Sequence, residues 1–258
     1  MIDKHAIIAP GAKIVADVYV GPFSIIGGEV EIDSGTWVGP HVVIQGKTKI
    51  GKNNKIFQFA SIGADPQDKK YVGEETTLEI GDNNIFREFI TVNRGTGQGI
   101  GTTKIGNHNL LLAYTHIAHD CVLGNGTVLA NNTTLSGHVT INDNAVIGGF
   151  VKVVQFCTIG AYCYIGGDTG VSKDVLPYVY VSSLHGSTKN YGLNLVGLRR
   201  LNFSRETLVN LKRAYNIICR QNLTLRAAIS KLSVMLAECP EVALFIDMLE
   251  KTKRGIVR

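Results

Sequence analysis

Aliphatic residues recur at every sixth position along most of the chain up to Val171. Glycine often follows them, and the fifth position of each sextet is usually small or β-branched, as at Ala12, Thr127 and Cys157. Neither the period of an α-helix nor the alternation of a strand fits this pattern. A period of six predicts a parallel β-helix, in which three sextets form one triangular coil and each aliphatic residue points inward. The recurrent positions form three series: Ile8, Ile14, Val20, Ile26, Ile32, Val38, Ile44, Ile50, Ile56 and Ile62; Ile80, Phe86 and Val92; and Ile105, Leu111, Ile117, Leu123, Leu129, Leu135, Ile141, Ile147, Val153, Ile159, Ile165 and Val171.

Two interruptions of the period predict loops that leave the coil. The first puts charged residues, Asp68 and Glu74, at sextet positions and predicts a loop excursion near 64–78. The second is a step of thirteen residues and predicts a loop excursion near 94–104. This loop contains four glycines, but no helical pattern follows it, and phosphate-binding loops need a helix N-terminus. We therefore expect a flexible loop there.

The C-terminal part changes to helical spacing. Ser204 and Thr224 are predicted N-caps of two helices, and Pro240 is predicted to open a third. The expected organisation is a β-helix over 1–190, followed by a connecting segment and a helical domain over 191–258. Such a domain would cover the open end of the solenoid. The predicted fold class is mainly β, with a C-terminal α-helical domain.

Composition narrows the class of protein. Of the 258 residues, 45% are hydrophobic and 18% charged, with 29 Gly and only 6 Pro, as expected of a globular chain with many regular turns. The net charge of +5 suits an acidic or phosphorylated partner, but Lys and Arg form no basic block, so we expect no nucleic acid.

Without a signal-like apolar segment or a run near ~18 apolar residues, we expect a cytoplasmic protein with no stable membrane insertion. The five cysteines form no CxxC motif and are expected to be reduced, buried thiols.

Stacking of coils converts sequence spacing into spatial proximity. Residues three sextets apart occupy the same site on adjacent coils, about 4.8 Å apart along the axis. Polar residues and a glycine with this spacing are expected to converge on one patch: His116, His119, Asp120, Gly137, His138 and Gln155. The alternative is that these are surface residues without a common role.

The chemistry of this patch favours an acyl-transfer site. His119 can act as a general base, while Asp120 can favour one tautomer or stabilise an imidazolium. Gly137 can offer its N–H to a developing oxyanion. Cys121 falls at an inward position and is not expected to be a nucleophile.

Several motifs resemble the UDP-N-acetylglucosamine O-acyltransferase (LpxA) family of the hexapeptide acyltransferase superfamily. The resemblance covers nearly the whole chain. It implies that the β-helix is left-handed and that the protein is a homotrimer with active sites between subunits. It further implies transfer of a 3-hydroxyacyl chain from acyl carrier protein to UDP-N-acetylglucosamine, the first step of lipid A biosynthesis. The motifs are His116–Cys121, Gln67-Asp68 with Lys70-Tyr71, Gly137–Val139, Gln155–Cys157, Pro240–Val242 and Arg254-Gly255.

The resemblance also implies roles for individual residues. The general base falls on His119, its orienting carboxylate on Asp120 and the oxyanion donor on Gly137. The acyl-chain pocket falls on Gly167 and His185. Direct attack on the acyl carrier protein thioester requires no covalent nucleophile, metal or other cofactor. The positions implied to bind the sugar nucleotide are Asp68, Lys70, His116, His138, Gln155, Asn194 and Arg200.

Four departures from the family pattern concern substrate recognition. The segment from His185 to Asn194 is two residues longer than in the family, and three single positions differ. Val154 stands where the family has histidine, Val196 where it has glutamate, and Leu201 shortens a run of three basic residues. The O-linked reaction is the main prediction. Transfer to a 3-amino sugar nucleotide, giving an amide, is the alternative.

Two readings come from other classes of protein. His116, His119 and His138 resemble the interfacial histidines of γ-class carbonic anhydrases and can be considered as zinc ligands. The spacing between His116 and His119 is not typical of that class, and the helical tail has no place in it. The other reading is a non-catalytic binding scaffold. Metal analysis and a thioester-release assay separate them from the acyltransferase.

Overall fold

A computed structural model describes residues 1–184 and 186–258. Within these residues the chain forms a parallel β-helix whose short strands build three sheets. The first sheet contains Ile7–Ile8, Ile25–Ile26, Val43–Ile44, Ser61–Ala64, Thr91–Asn93, His116–Ile117, Thr134–Leu135, Lys152–Val153 and Gly170–Val171. The second contains Lys13–Ile14, Glu31–Ile32, Lys47–Ile50, Thr77–Ile80, Thr102–Ile105, Val122–Leu123, Thr140–Ile141 and Thr158–Ile159. The third contains Tyr19–Val20, Trp37–Val38, Lys55–Ile56, Ile85–Phe86, Leu110–Leu111, Val128–Leu129, Val146–Ile147, Tyr164–Ile165, Val179–Leu184 and Ser187–Leu193.

The six-residue period is the physical basis of this architecture. Each recurrent aliphatic residue is the inward residue of a strand and pairs with its equivalent one coil away, as Ile117 does with Leu135. Both side chains are fully buried, as are most members of the three series. Stacked aliphatic side chains therefore form one continuous core along the axis.

Three corners join the sheets. The first corner leads from the first sheet to the second, the second corner from the second to the third, and the third corner from the third back to the first. Many corners contain a residue in the left-handed region, such as Asp120 and His138 with φ of 59° and 61°. A non-glycine residue is uncommon in that conformation, so these turns fix where the corner side chains lie.

Both interruptions of the period leave the β-helix at the first corner. Residues 65–76 connect Ser61–Ala64 to Thr77–Ile80, and residues 94–101 connect Thr91–Asn93 to Thr102–Ile105. We call these segments the first loop and the second loop. They precede the coil that carries His119, so both lie beside that residue's corner.

The C-terminal segment is helical. It contains α1 (Leu195–Arg200), α2 (Arg205–Arg220), α3 (Leu225–Met235), a 3-10 turn (Pro240–Val242) and α4 (Ala243–Lys251). The predicted caps are present: the Ser204 hydroxyl accepts from Thr207 N, and that of Thr224 accepts from Ala227 N.

Two elements before α2 had no signal in the sequence analysis. Strands Val179–Leu184 and Ser187–Leu193 form an antiparallel hairpin that extends the third sheet. The predicted division between residues 190 and 191 falls inside its second strand. Helix α1 then follows directly. Sequence analysis missed both because the hexapeptide period has already ended there.

In the part of the chain that the structure describes, no helix has the length and apolar character needed to cross a membrane.

Candidate active site

The centre of the site is a histidine–aspartate pair at the first corner. His119 Nδ1 lies 2.8 Å from Asp120 Oδ2, and both side chains are almost completely buried. Burial opposes ionisation of Asp120, but hydrogen bonds from His119 and Thr96 outweigh it and hold the pKa of the carboxyl below its ordinary value. Because an ionised carboxylate only accepts hydrogen bonds, His119 donates from Nδ1 and its lone pair is on Nε2. Nε2 is thus the proton-accepting atom.

The second loop holds Asp120. Thr96 donates its hydroxyl to Oδ2 at 2.7 Å and its N–H at 3.2 Å, while Ile100 donates its N–H to Oδ1 at 3.0 Å. A side chain at Gly99 would place Cβ 2.3 Å from the carboxyl carbon of Asp120, so only glycine allows this approach. We expected a flexible loop, and the structure shows these hydrogen bonds anchoring it to Asp120. Gly99 lets the backbone close onto a buried carboxylate.

His138 and His116 flank the pair. The His138 ring lies edge-on to His119 at 5.0 Å and stacks on Phe156 at 4.5 Å. Nδ1 of His116 is 2.7 Å from the hydroxyl of Thr91. Burial is the main cause that lowers the pKa of both His116 and His138, so the neutral form of each is favoured. Neutral imidazoles can both donate and accept hydrogen bonds to a sugar.

Gly137 lies against the face of the His119 ring. A Cβ at this position would be 2.5 Å from Cε1 and 2.6 Å from Nε2 of His119. The N–H of Gly137 donates to none of the described residues. The absence of a side chain therefore gives space for both the imidazole and an incoming group.

The first loop brings Asp68 towards the base. Its Oδ2 is 4.0 Å from His119 Nε2, beyond hydrogen-bond distance, and its Oδ1 accepts from Lys70 N at 3.0 Å. Lys70 and Gln155 are exposed, and Gln155 shares the first corner with His119 and Gly137. The structure thus places the predicted residues of this patch at the first corner, on the strand that leads into it or on the loops beside it.

Cys121 is inert towards this chemistry. Its side chain is fully buried, and burial raises the pKa of its thiol to about 12. The thiol also lies 3.2 Å from the carbonyl oxygen of Ser136. A buried thiol of this kind is protonated at neutral pH and is not a nucleophile.

The residues predicted to bind the nucleotide lie elsewhere. Asn194 and Arg200 line a cavity of ≈ 670 Å³ at the second corner and third sheet, together with two of the divergent positions, Val196 and Leu201. The amide of Asn194 caps α1 by accepting from Gly197 N and donates to the carbonyl of Tyr162. One chain alone does not bring this cavity to His119.

The predicted acyl-pocket residues form a third location. Gly167 is exposed at the third corner, and a Cβ there would meet only Gly149, at 3.3 Å. The other predicted pocket residue, His185, lies outside the described residues. The structure therefore shows open space beside one of the two predicted pocket residues, Gly167.

Among the described residues, one group has metal-ligand geometry: His119, Asp120 and His138. His116, which the zinc hypothesis requires, is not part of it. The carboxylate of Asp120 already accepts hydrogen bonds from Thr96, Ile100 and His119. These contacts fit a hydrogen-bonded orienting group better than a free ligand.

Sequence analysis missed Thr96, Ile100 and Arg94. The glycine spacing of the second loop was visible, but a loop has no period that predicts its partner. The only available signal was that the second loop leaves the β-helix one coil before the coil that carries His119.

Comparisons with known proteins agree with the predicted acyltransferase family. Residues 174–257 match the family described as Udp N-acetylglucosamine O-acyltransferase, Domain 2, and residues 102–137 match the bacterial transferase hexapeptide family. An acyl-[acyl-carrier-protein]--UDP-N-acetylglucosamine O-acyltransferase of Thermodesulfovibrio yellowstonii is 48% identical over 100% of this chain and 99% of its own. One of Psychromonas ingrahamii is 60% identical over 82% of this chain and 80% of its own.

Solved structures agree as well. LpxA from Acinetobacter baumannii is 48% identical with a TM-score of 0.96, covering 100% of this chain and 99% of its own. LpxA from Moraxella catarrhalis is 44% identical with the same TM-score and coverage. The shared fold confirms the predicted class, a left-handed parallel β-helix with C-terminal helices. The chain belongs to the UDP-N-acetylglucosamine O-acyltransferase (LpxA) family.

Proposed function

We propose that this protein transfers a 3-hydroxyacyl chain from acyl carrier protein to the 3-hydroxyl of UDP-N-acetylglucosamine, the first step of lipid A biosynthesis. The observation that carries the proposal is the buried 2.8 Å hydrogen bond between His119 and Asp120, which leaves the lone pair of Nε2 beside Gly137 and the first loop. The names of the full-length relatives support the same reaction.

The reaction requires one proton to move at His119 Nε2. As the sugar oxygen attacks the thioester carbon, Nε2 takes the proton of the sugar hydroxyl. The carbonyl oxygen becomes an oxyanion that the N–H of Gly137 stabilises. When the oxyanion collapses, the C–S bond breaks, the departing sulfur takes the proton from His119, and the carrier leaves as a thiol. One ester bond replaces one thioester bond, without a covalent enzyme intermediate, metal or other cofactor.

The remaining polar residues orient the acceptor. Asp68, His138 and His116 surround the base and are assigned to the sugar, with Lys70 and Gln155 at the exposed rim. Asn194 and Arg200 are assigned to the nucleotide. Gly167 and His185 are assigned to the acyl chain.

A homotrimer in the cytoplasm is part of the proposal. The nucleotide residues and the base occupy different corners of one chain, so a complete site needs a neighbouring copy. A trimer with sites between subunits meets this requirement. Light scattering should give three times the 27.9 kDa of the chain. A monomeric mass at micromolar concentration would contradict the intersubunit site.

The acceptor is tested with two sugar nucleotides in parallel. Purified protein and 3-hydroxyacyl carrier protein are mixed with UDP-N-acetylglucosamine or its 3-amino analogue, and release of the carrier thiol is followed. We expect faster release with the hydroxyl acceptor and a product that mild base hydrolyses, as an ester should. Preference for the 3-amino acceptor would indicate that Val154, Val196 and Leu201 change the specificity for the acceptor sugar. No thiol release with either acceptor would refute acyl transfer, and a chelator should have no effect on the rate.

A further inference from the structure

The second loop supplies three of the four donors that reach the Asp120 carboxylate among the described residues. These are the hydroxyl and N–H of Thr96 and the N–H of Ile100, and His119 supplies the fourth. Thr96 is itself buried, and its hydroxyl also accepts from Gly99 N at 3.1 Å. Its Oγ1–H therefore has a defined direction, towards Oδ2.

We propose that Thr96 is a positioning residue that keeps Oδ2 of Asp120 directed at Nδ1 of His119. This inference rests on the proposed function, because it assigns Thr96 to the same proton transfer. Thr96 acts through Asp120 and His119 rather than on the substrate.

A competing hydrogen-bond partner explains why the carboxylate of Asp120 must be held in this orientation. His138 Nδ1 is 3.9 Å from the same Oδ2 that His119 contacts at 2.8 Å. A small rotation of the carboxylate would exchange one imidazole for the other. Donors on both oxygens oppose that rotation, with Ile100 on Oδ1 and Thr96 on Oδ2. Without the Thr96 hydroxyl, the His119 tautomer that exposes a lone pair at Nε2 is less strictly selected.

A separate set of contacts assigns a second positioning residue, Arg94, to the acceptor side of the site. Arg94 is buried at the start of the second loop. Its Nη1 donates to the carbonyl of Gly63 at 2.6 Å, and its Nη2 contacts Asp65 Oδ1 and the hydroxyl of Tyr71. Asp65 and Tyr71 lie on either side of Asp68 in the first loop.

Further contacts join the two loops. Gly97 N donates to Glu74 Oε1 at 3.0 Å, and Gln98 Nε2 donates to the carbonyl of Lys70 at 3.3 Å. Thr96 thus holds the base through Asp120, while Arg94, two residues earlier, holds the first loop, which carries Asp68 and Lys70. The two residues predict separable kinetic defects.

Thr96→Val tests the first assignment in the intact protein. Valine keeps the shape but removes the hydroxyl donor. We expect kcat to fall roughly 10-fold with little change in KM for UDP-N-acetylglucosamine, because orientation of the base and not binding is impaired. Loss of a donor to the ionised form raises the pKa of Asp120. The acid limb of kcat/KM, which reports protonation of the hydrogen-bonded Asp120–His119 pair, should therefore move to higher pH. The other charged or titratable neighbours are His138 and Asp68, which faces His119. Thr96→Ser, which keeps the hydroxyl, should restore both values.

Thr127→Val is the matched control. Thr127 is equally buried and also donates its hydroxyl at 2.7 Å, but to Asn109 at the second corner. It should lose stability without a change in kcat or pH profile. If the wild type is active and Thr96→Val shows the same kcat and the same acid limb as Thr127→Val, the positioning role of Thr96 is refuted. An inactive wild type would instead refute the proposed function.

Arg94→Met tests the second assignment. It should raise KM for UDP-N-acetylglucosamine roughly 10-fold, because Asp68 and Lys70 are less well held, while the acid limb stays in place. Asp65→Asn breaks the same ion pair at an exposed residue and provides a second variant if Arg94→Met does not fold. It should raise the same KM by a smaller factor. An unchanged acceptor KM in the folded variants would overturn this assignment.

Discussion

Two columns of polar side chains stack along the β-helix, and they differ in how their hydrogen-bonding capacity is used. At the second corner, Asn54, Asn84 and Asn109 are buried on successive coils. Oδ1 of Asn54 accepts from both nitrogens of Asn84, and Oδ1 of Asn84 accepts from Asn109 N, all at 2.9–3.0 Å. Each side-chain NH₂ also donates to a glycine carbonyl. At the first corner, His119 Nε2 accepts no hydrogen bond from the described residues, and Asp68 Oδ2 lies 4.0 Å from it.

The difference separates a structural column from a chemical one. The asparagines satisfy one another and the backbone, so no ligand is required. The first-corner column leaves a proton-accepting atom without a hydrogen-bond partner in the part of the chain that the structure describes. Stacking alone places polar residues in line. Their function depends on whether neighbouring backbone groups use the polar atoms.

Loss of the base should have the largest effect on activity. His119→Ala removes the proton acceptor and should lower kcat/KM at least ~10²-fold, the usual scale for a general base. Thiol release from acyl carrier protein measures it. His5→Ala, at a half-exposed histidine of the first coil, is the control and should match wild type. Near-wild-type transfer by the His119 variant would mean that the column of side chains at the first corner is not the chemical one.

A change at the third corner should alter selectivity by a similar factor. Gly167→Met fills the open space beside Gly149 and should favour shorter 3-hydroxyacyl donors. Each buried methylene contributes about 0.8 kcal/mol, so loss of four would cost roughly 3 kcal/mol, over a hundredfold in kcat/KM. Competition between long and short carrier thioesters measures the ratio. If the ratio does not change, the acyl chain ends elsewhere.

A methyl group at Gly137 should have a smaller effect. Gly137→Ala would place Cβ 2.5 Å from the His119 ring, so the ring or the corner must shift. We expect kcat to fall about 10-fold, since small displacements of a base are costly. Gly170→Ala is the matched control, because its Cβ would meet nothing within 4 Å. Equal rates for the two variants would show that the space beside His119 is not required.

The sequence was sufficient to predict the fold class because one period determines it. Aliphatic residues such as Ile117 and Leu135 must stack, and this places His119, Gly137 and Gln155 at one corner. The partners of those residues could not be predicted in the same way. Thr96 and Arg94 belong to a loop without a period, and their contacts depend on its three-dimensional path. The asparagine column was missed because its spacing is changed by the loops inserted between coils.

The smallest effect on activity should come from the asparagine column, although its effect on stability should be clear. Asn84→Ala leaves Asn109 N and the Gly106 carbonyl without their partners in a buried region, while Asn54 Oδ1 keeps only its bond from the backbone N of residue 84. Unsatisfied buried groups cost about 1–3 kcal/mol each, and partial relaxation makes about 3 kcal/mol a reasonable total. At roughly 2–4 °C per kcal/mol, Tm should fall by about 6–12 °C.

Asn107→Ala is the matched control for this prediction. Asn107 also accepts and donates hydrogen bonds at the second corner, but in a half-buried position where water can replace them. Its Tm should change by less than about 2 °C, measured at the same protein concentration because assembly also contributes to stability. Both variants should keep kcat within about twofold when assayed well below Tm, since neither Asn84 nor Asn107 touches the first corner. A large loss of kcat in a folded Asn84→Ala protein would show that the second corner also takes part in the chemistry, and the division between a structural and a chemical column would fail.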